Sequence, residues 1–231
     1  MSLKYKFKDF EKTILYSFGD KSLLKHSLTH SSYANEKKKS KLCNNERLEF
    51  LGDAVLELIT SHYIYTKYSN LPEGELTKLR ASIVCEPTLS KCAKDINLGD
   101  YILLGKGEEI TGGRERSSVL SDALESVIGA IYLDGGIKNA DNFVKRFILK
   151  DIENKQLFYD SKTSLQEVIQ QRSKTPLEYV LIEETGPDHN KVFIVEVRFE
   201  GKVLGSGKGK SKKNAEQEAA YNALKKLKNI E

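Results

Sequence analysis

The stretch Asn45-Glu46-Arg47-Leu48-Glu49-Phe50-Leu51-Gly52-Asp53 decides how the rest of the chain is read. On a helix advancing about 100° per residue, Glu46, Glu49, Asp53 and Glu57 fall within an arc of about 80°. Leu48, Leu51, Val55, Leu58 and Ile59 occupy an arc of about 100° on the other side. The spacing predicts a helix with an acidic stripe and a core stripe, with His62 on the core side. Phe50 departs from this pattern. It lies about 40° from Glu46, on the acidic side, where a large ring acts either as a lid or as an interface residue.

A second acidic segment, Ser121-Asp122-Ala123-Leu124-Glu125, sets Asp122 and Glu125 one turn apart on another predicted helix. Ser118, Ser126 and Gly129 lie around them, while Leu120, Leu124, Val127 and Ile131 face away. Small neighbours leave room beside the carboxylates. One acidic stripe is most simply a solvated helix face. Two stripes, largely without i to i+4 Lys or Arg partners of their own, repel themselves unless a cation intervenes. Carboxylates together with water suit Mg²⁺ or Mn²⁺, which hold a phosphate oxygen and activate a water. Cleavage of RNA by cyclisation would instead need a base for the 2′-hydroxyl, usually histidine. The chain has only four histidines. His26 and His30 stand one helical turn apart without an evident third ligand, and both, like His62, are assigned structural roles. The expected products carry 5′-phosphate and 3′-hydroxyl ends.

From Phe10 to about Glu153 the apolar spacing is mostly helical, with breaks at residues 69–74, 105–113 and 134–136. Residues 154–160 show no period and are assigned to a linker. Beyond them Ser164 and Glu167 have capping-box spacing for a helix Leu165 to Arg172. Strands are predicted at Leu177 to Glu184, Val192 to Phe199 and Lys202 to Ser206. A last helix, Lys212 to Leu227, carries Ala215, Ala219, Ala220 and Ala223 for close approach to a sheet. The chain is thus predicted as two domains: an all-α domain at 1–153 and a small α+β domain of order α-β-β-β-α at 161–228.

A 231-residue chain with 39% hydrophobic residues has room for one sizeable core and one small one. Residues 160–228 hold 13 Lys and Arg against 10 Asp and Glu, and four of those lysines crowd into positions 208–213. Lys212 and Lys213 fall in the first turn of the last helix, where the macrodipole disfavours cations by up to ~1 kcal/mol each. A bound phosphate at that helix start would compensate them. Cys43, Cys85 and Cys92 lack metal-site spacing and suggest buried thiols in a reducing compartment. No stretch approaches the ~20 apolar residues that span a bilayer, and the N-terminus lacks a signal-peptide apolar run, so a cytoplasmic protein without membrane association is expected.

The Asn45 to Asp53 stretch resembles the signature of the bacterial ribonuclease III family. Ser121 to Glu125 with Gly129-Ala130-Ile131-Tyr132-Leu133-Asp134-Gly135-Gly136 is similar to that family's second acidic motif. The segment from Gly186 to Lys191 and the Gly-rich lysine run resemble its double-stranded RNA-binding domain, so the likeness extends over nearly the whole chain. Ser126 and Ser118, where many relatives have Ala and Pro, are mild departures. The resemblance implies a metal-binding quartet of Glu49, Asp53, Asp122 and Glu125, with Asp53 and Glu125 also the catalytic acids, and Glu46 and Glu73 as further acids nearby. It implies a homodimer in which Phe50 enters a socket of the second subunit, and no organic cofactor. In the second domain it implies that Gln166, Glu167 and Gln170 meet 2′-hydroxyls, that His189 enters a second minor groove, and that Lys212 and Lys213 straddle phosphates.

The function expected is a Mg²⁺-dependent endoribonuclease, with Mn²⁺ as a substitute, that cuts both strands of duplex RNA. It would leave short 3′ overhangs and process ribosomal RNA precursors and structured messengers. A noncatalytic duplex-RNA-binding protein of the same fold is the alternative, and loss of a quartet acid would mark it. A small-molecule metal phosphohydrolase would usually use histidine ligands such as a His-Asp pair, and this chain has no His-Asp dipeptide.

Overall fold

The structure is a computed structural model that describes residues 3–38, 43–152, 161–171, 173, 175–186, 191–209 and 211–228. The predicted linker, His189 and Lys210 lie outside the described residues. The chain divides into two compact units, Met1–Lys150 and Asp151–Glu231.

The first unit is helical: α1 (Leu3–Ile14), α2 (Lys21–Ser27), α3 (Ser31–Glu36), α4 (Glu46–Lys67), α5 (Glu73–Val84), α6 (Glu86–Asp95), α7 (Lys106–Ile110) and α8 (Ser117–Phe147). Helix α8 is buried on almost every side, through Leu120, Ala123, Leu124, Val127, Ile128, Ala130 and Ile131, and so forms the axis of the unit. The predicted break at 134–136 is a kink at Gly136, whose φ of 74° suits a residue without Cβ. Asp134, just before it, accepts hydrogen bonds from the Tyr16 hydroxyl at 2.6 Å and from the backbone N–H groups of Gly19 and Asp20 at 2.9 and 2.8 Å. Burial opposes the charge on Asp134, but these bonds, with Lys21 nearby, hold its carboxyl below the usual range.

Helix α4 packs on α8 more extensively than on any other element. Its buried stripe is Leu48, Gly52, Val55, Leu56, Ile59, Thr60 and Ile64. This stripe centres on Gly52, where the two backbones touch, and is rotated from the predicted one. Leu58 is consequently 62% exposed rather than in the core. His62, predicted on the core side, is exposed for the same reason. His26 and His30 do not share a helix: His26 is in α2, whereas His30 has extended backbone and caps α3. Of the cysteines, all free, only Cys92 is buried, while Cys43 and Cys85 are half-buried.

The second unit contains α9 (Ser161–Gln170), β1 (Glu178–Thr185), β2 (Val192–Phe199), β3 (Lys202–Gly209) and α10 (Lys212–Lys228). The strands form one antiparallel sheet in the order β1-β2-β3. Leu165 and Ile169 of α9, Val197 of β2 and Ala219, Ala220, Ala223 and Leu224 of α10 make its core. Helix α9 starts at Ser161, not at the predicted Ser164 cap, because buried Ser161 donates its hydroxyl to the Gln217 carbonyl of α10 at 2.9 Å. Strand β3 runs three residues beyond its predicted end. A Cβ on Gly205 would stand 2.5 Å from the Ala219 carbonyl oxygen, one on Gly209 2.5 Å from the Ala215 nitrogen, and one on Gly207 would overlap the Ala215 carbonyl. The glycines that resemble a loop are therefore the bare face on which α10 lies.

Candidate active site and RNA-facing module

Four segments of the first unit are stitched together at the start of α4. The Thr29 carbonyl accepts the Asn45 N–H at 2.9 Å. The Asn45 carbonyl accepts the N–H groups of Leu48 and Glu49, each at 2.9 Å, and the Ser126 hydroxyl of α8 at 3.4 Å. His30 donates its N–H to the Leu103 carbonyl at 3.1 Å, and its Nδ1 lies 2.8 Å from the Ser32 hydroxyl oxygen. That same oxygen accepts the Gly105 N–H at 2.9 Å. A seryl hydroxyl at position 126 thus has work an alanine could not do, since it ties the two acid-bearing helices together.

This frame brings Glu49 of α4 beside Asp122 and Glu125 of α8, with one oxygen from each lying within 4.8 Å of the others. Burial and the neighbouring charges of Asp53, Asp122 and Glu49 push the Glu125 carboxyl up to about 8. Burial, Asp122, Glu46 and Asp53 push Glu49 up to about 7. Burial raises Asp122 as well, with the Ser121 hydroxyl and His30 working against the rise. Carboxyl groups crowded this closely retain protons near neutrality unless a cation takes their place. Three converging carboxylates with room for water fit a hard, oxygen-seeking divalent ion.

The remaining predicted acids are placed differently. Asp53 is exposed and outside this triangle, although its charge acts on both Glu49 and Glu125. Glu46 is exposed and acts on Glu49. Glu73 opens α5, is exposed, and accepts the Thr77 hydroxyl at 2.9 Å within its own helix. Phe50 is 81% exposed, and Leu58 and Tyr65, also exposed, continue an apolar line along the outer face of α4.

In the second unit Gln166, Glu167 and Gln170 lie exposed on α9, and Lys212 and Lys213 are exposed in the first turn of α10. Ser211, which sequence reasoning missed, accepts the Asn214 N–H at 3.2 Å. A serine immediately before a helix was the signal for that cap.

Residues 20–152 match the family model described as ribonuclease-III-like, more than half of the chain. The chain belongs to the ribonuclease III family. Residues 161–227 match the double-stranded RNA binding motif. Among relatives, the protein named Ribonuclease 3 of Caldanaerobacter subterraneus subsp. tengcongensis is 50% identical over 94% of this chain and 96% of its own length. A Ribonuclease 3 of Bacillus cereus is 50% identical over 96% of this chain and 91% of its own. A solved structure of the ribonuclease III nuclease domain from Campylobacter jejuni, described for flexibility in the region involved in its dimer formation, superposes with a TM-score of 0.57 at 48% identity. It covers 62% of this chain and 95% of that one. A ribonuclease III nuclease unit, metal-dependent as in the family, followed by a duplex-RNA-binding motif makes this chain a double-strand-specific endoribonuclease. No described helix is long and apolar enough to cross a membrane.

Proposed function

We propose that Glu49, Asp53, Asp122 and Glu125 together hold Mg²⁺, or Mn²⁺ in its place, and that Asp53 and Glu125 stand closest to the reacting phosphate. The observation that carries this reading is the meeting of Glu49, Asp122 and Glu125 from two helices within 4.8 Å. The bound ion supplies Lewis acidity and a nucleophilic water, giving 5′-phosphate and 3′-hydroxyl ends. Glu49 and Glu125 give up the protons they retain when metal-free, and the fixed helical positions of these two and of Asp122 orient the oxygens before RNA arrives. Exposed Asp53 completes the set from one turn beyond Glu49, and Glu46 adds negative charge at the rim. Glu73 acts, if a second chain brings it to the site, from outside the cluster.

The domains proposed are 1–153 and 161–228, joined by 154–160, and the molecule works as a homodimer. Support for the dimer is the exposed apolar line Phe50, Leu58 and Tyr65 beside the acidic stripe, a face that a second copy would cover. Two sites in one dimer cut opposite strands and leave short 3′ overhangs. In the second unit Gln166, Glu167, Gln170 and His189 read the minor groove, and Lys212 and Lys213 hold phosphates. Cytoplasmic ribosomal RNA precursors and structured messengers are the substrates.

The test is an end-labelled RNA duplex incubated with Mg²⁺ or with EDTA, using wild type and Glu125→Gln. Mg²⁺-dependent staggered cuts ending in 5′-phosphate are expected from wild type, and duplex binding without cleavage from the variant. Cutting by Glu125→Gln at the wild-type rate would remove Glu125 from the site.

A further inference from the structure

His30 caps α3 with one ring nitrogen and leaves the other uncommitted. Its Nδ1 accepts the Ser32 N–H at 3.3 Å and lies 2.8 Å from the Ser32 hydroxyl oxygen, which itself accepts the Gly105 N–H. A ring nitrogen that accepts carries no hydrogen, so in the neutral imidazole the hydrogen is on Nε2. Among the described residues Nε2 makes no hydrogen bond. Capping alone does not call for an imidazole, since Ser, Asp or Asn offers an acceptor on a shorter side chain. The second nitrogen is the part of His30 that the cap leaves unexplained.

The backbone sets this ring beside the acid cluster. His30 is half-buried, and its own N–H is held by the Leu103 carbonyl. The carbonyl just before it, of Thr29, takes the Asn45 N–H, and the Asn45 carbonyl takes the hydroxyl of Ser126, one helical turn beyond Asp122. The ring acts on Asp122 across this short path, opposing the rise that burial imposes on its carboxyl. Asp122 has room for a donor. Among the described residues its carboxylate takes only the Ser121 hydroxyl, at 3.3 Å on Oδ1.

We propose that His30 is a positioning residue for Asp122, its Nε2–H holding one carboxylate oxygen so that the other is turned into the cluster with Glu49 and Glu125. Metal-ligating carboxylates need such outer partners, and losing one typically costs 10–100-fold in metal affinity. The inference rests on the metal-site reading given above and adds to it a residue from outside the two acid-bearing helices. It gives His30 two tasks, one for each ring nitrogen.

The test measures Mn²⁺ binding to the full chain, stripped with EDTA and dialysed, by the electron paramagnetic resonance of free Mn²⁺. His30→Asn keeps a capping oxygen near the place of Nδ1 and has nothing in the place of Nε2. It should bind Mn²⁺ about 10–100-fold more weakly than wild type, with a metal-free thermal midpoint and a duplex-RNA affinity in EDTA equal to wild type. His30→Gln, whose amide N–H reaches toward the place of Nε2, should recover much of that loss. Wild-type Mn²⁺ affinity in His30→Asn, or equal weakness in His30→Gln, would overturn the assignment and leave His30 a cap alone. Equal Mn²⁺ binding by wild type and Glu125→Gln would instead overturn the metal-site reading beneath it.

Discussion

Gly52 of α4 and Gly129 of α8 stand back to back: the Glu125 carbonyl fills the place of a Cβ on residue 52, and the Leu48 carbonyl that of a Cβ on residue 129. Both carbonyls belong to, or adjoin, residues of the acid cluster. The separation of the helices is therefore the separation of the carboxylates. Gly52→Ala should push α4 off α8, costing ~1–3 kcal/mol as an overpacked contact does, and should slow cleavage even at temperatures where the variant is fully folded. Denaturant unfolding with single-turnover cleavage checks both, and wild-type values would show slack between the helices.

The metal-free protein should lose stability as pH rises from about 5 to about 8. Unfolded glutamates titrate at 4.5, whereas folded Glu49 and Glu125 sit at about 7 and about 8. Between those limits the folded state binds more protons than the unfolded one, so the slope of stability with pH is negative. Mg²⁺ replaces those protons and should stabilise most at the upper end of the range. Thermal midpoints across this pH range, in EDTA and in Mg²⁺, measure it. Glu125→Gln should flatten the EDTA curve.

Thr60 is fully buried in α4, and its hydroxyl has no hydrogen-bond partner. Thr60→Val keeps the shape and removes the unpaired group, so it should stabilise the first unit by up to ~1 kcal/mol. A fall in the unfolding midpoint would mean that the hydroxyl has a use in the assembled molecule.

Phe50→Ala should weaken self-association without unfolding the chain, because an 81% exposed ring contributes little to the core of its own subunit. Sedimentation at micromolar concentration reports this. A dimer as stable as wild type would place the contact elsewhere.

Replacing Lys212 and Lys213 together with alanine should weaken duplex binding and reduce its salt dependence by roughly one unit of slope for each phosphate no longer neutralised. Binding measured over a series of salt concentrations gives that slope. An unaltered slope would mean that neither lysine touches phosphate.

Much of the fold was legible because long elements repeat their pattern: α4 and α8 through helical spacing, and β2 through the alternation that buries Val195 and Val197. The acids of α4 were legible as one stripe by spacing alone, since α4 is regular throughout. The errors occur where a neighbouring element outweighs local pattern. Leu58 is apolar and helically spaced, yet the pull of Gly52 toward α8 turns it outward. Ser164 has cap spacing, yet Ser161 is held by α10. Strand β3 was predicted to end at Ser206 and runs to Gly209, because what favours its extension is the approach of α10 some residues later in the chain. The Ser126 link to Asn45 could not be read at all, since it joins residues 81 positions apart.

The bare face of β3 leaves the second unit with one-sided freedom to vary. Glycine is already the smallest residue, so an added methyl at position 207 cannot be offset by trimming its own strand. The atoms in the way are backbone, chiefly the Ala215 carbonyl oxygen and the Ala219 nitrogen, which no side-chain replacement in α10 removes. A side chain at position 207 could be admitted only if α10 as a whole lifted off the strand, so the pitch of the lysine-bearing helix against its sheet is inherited as a unit.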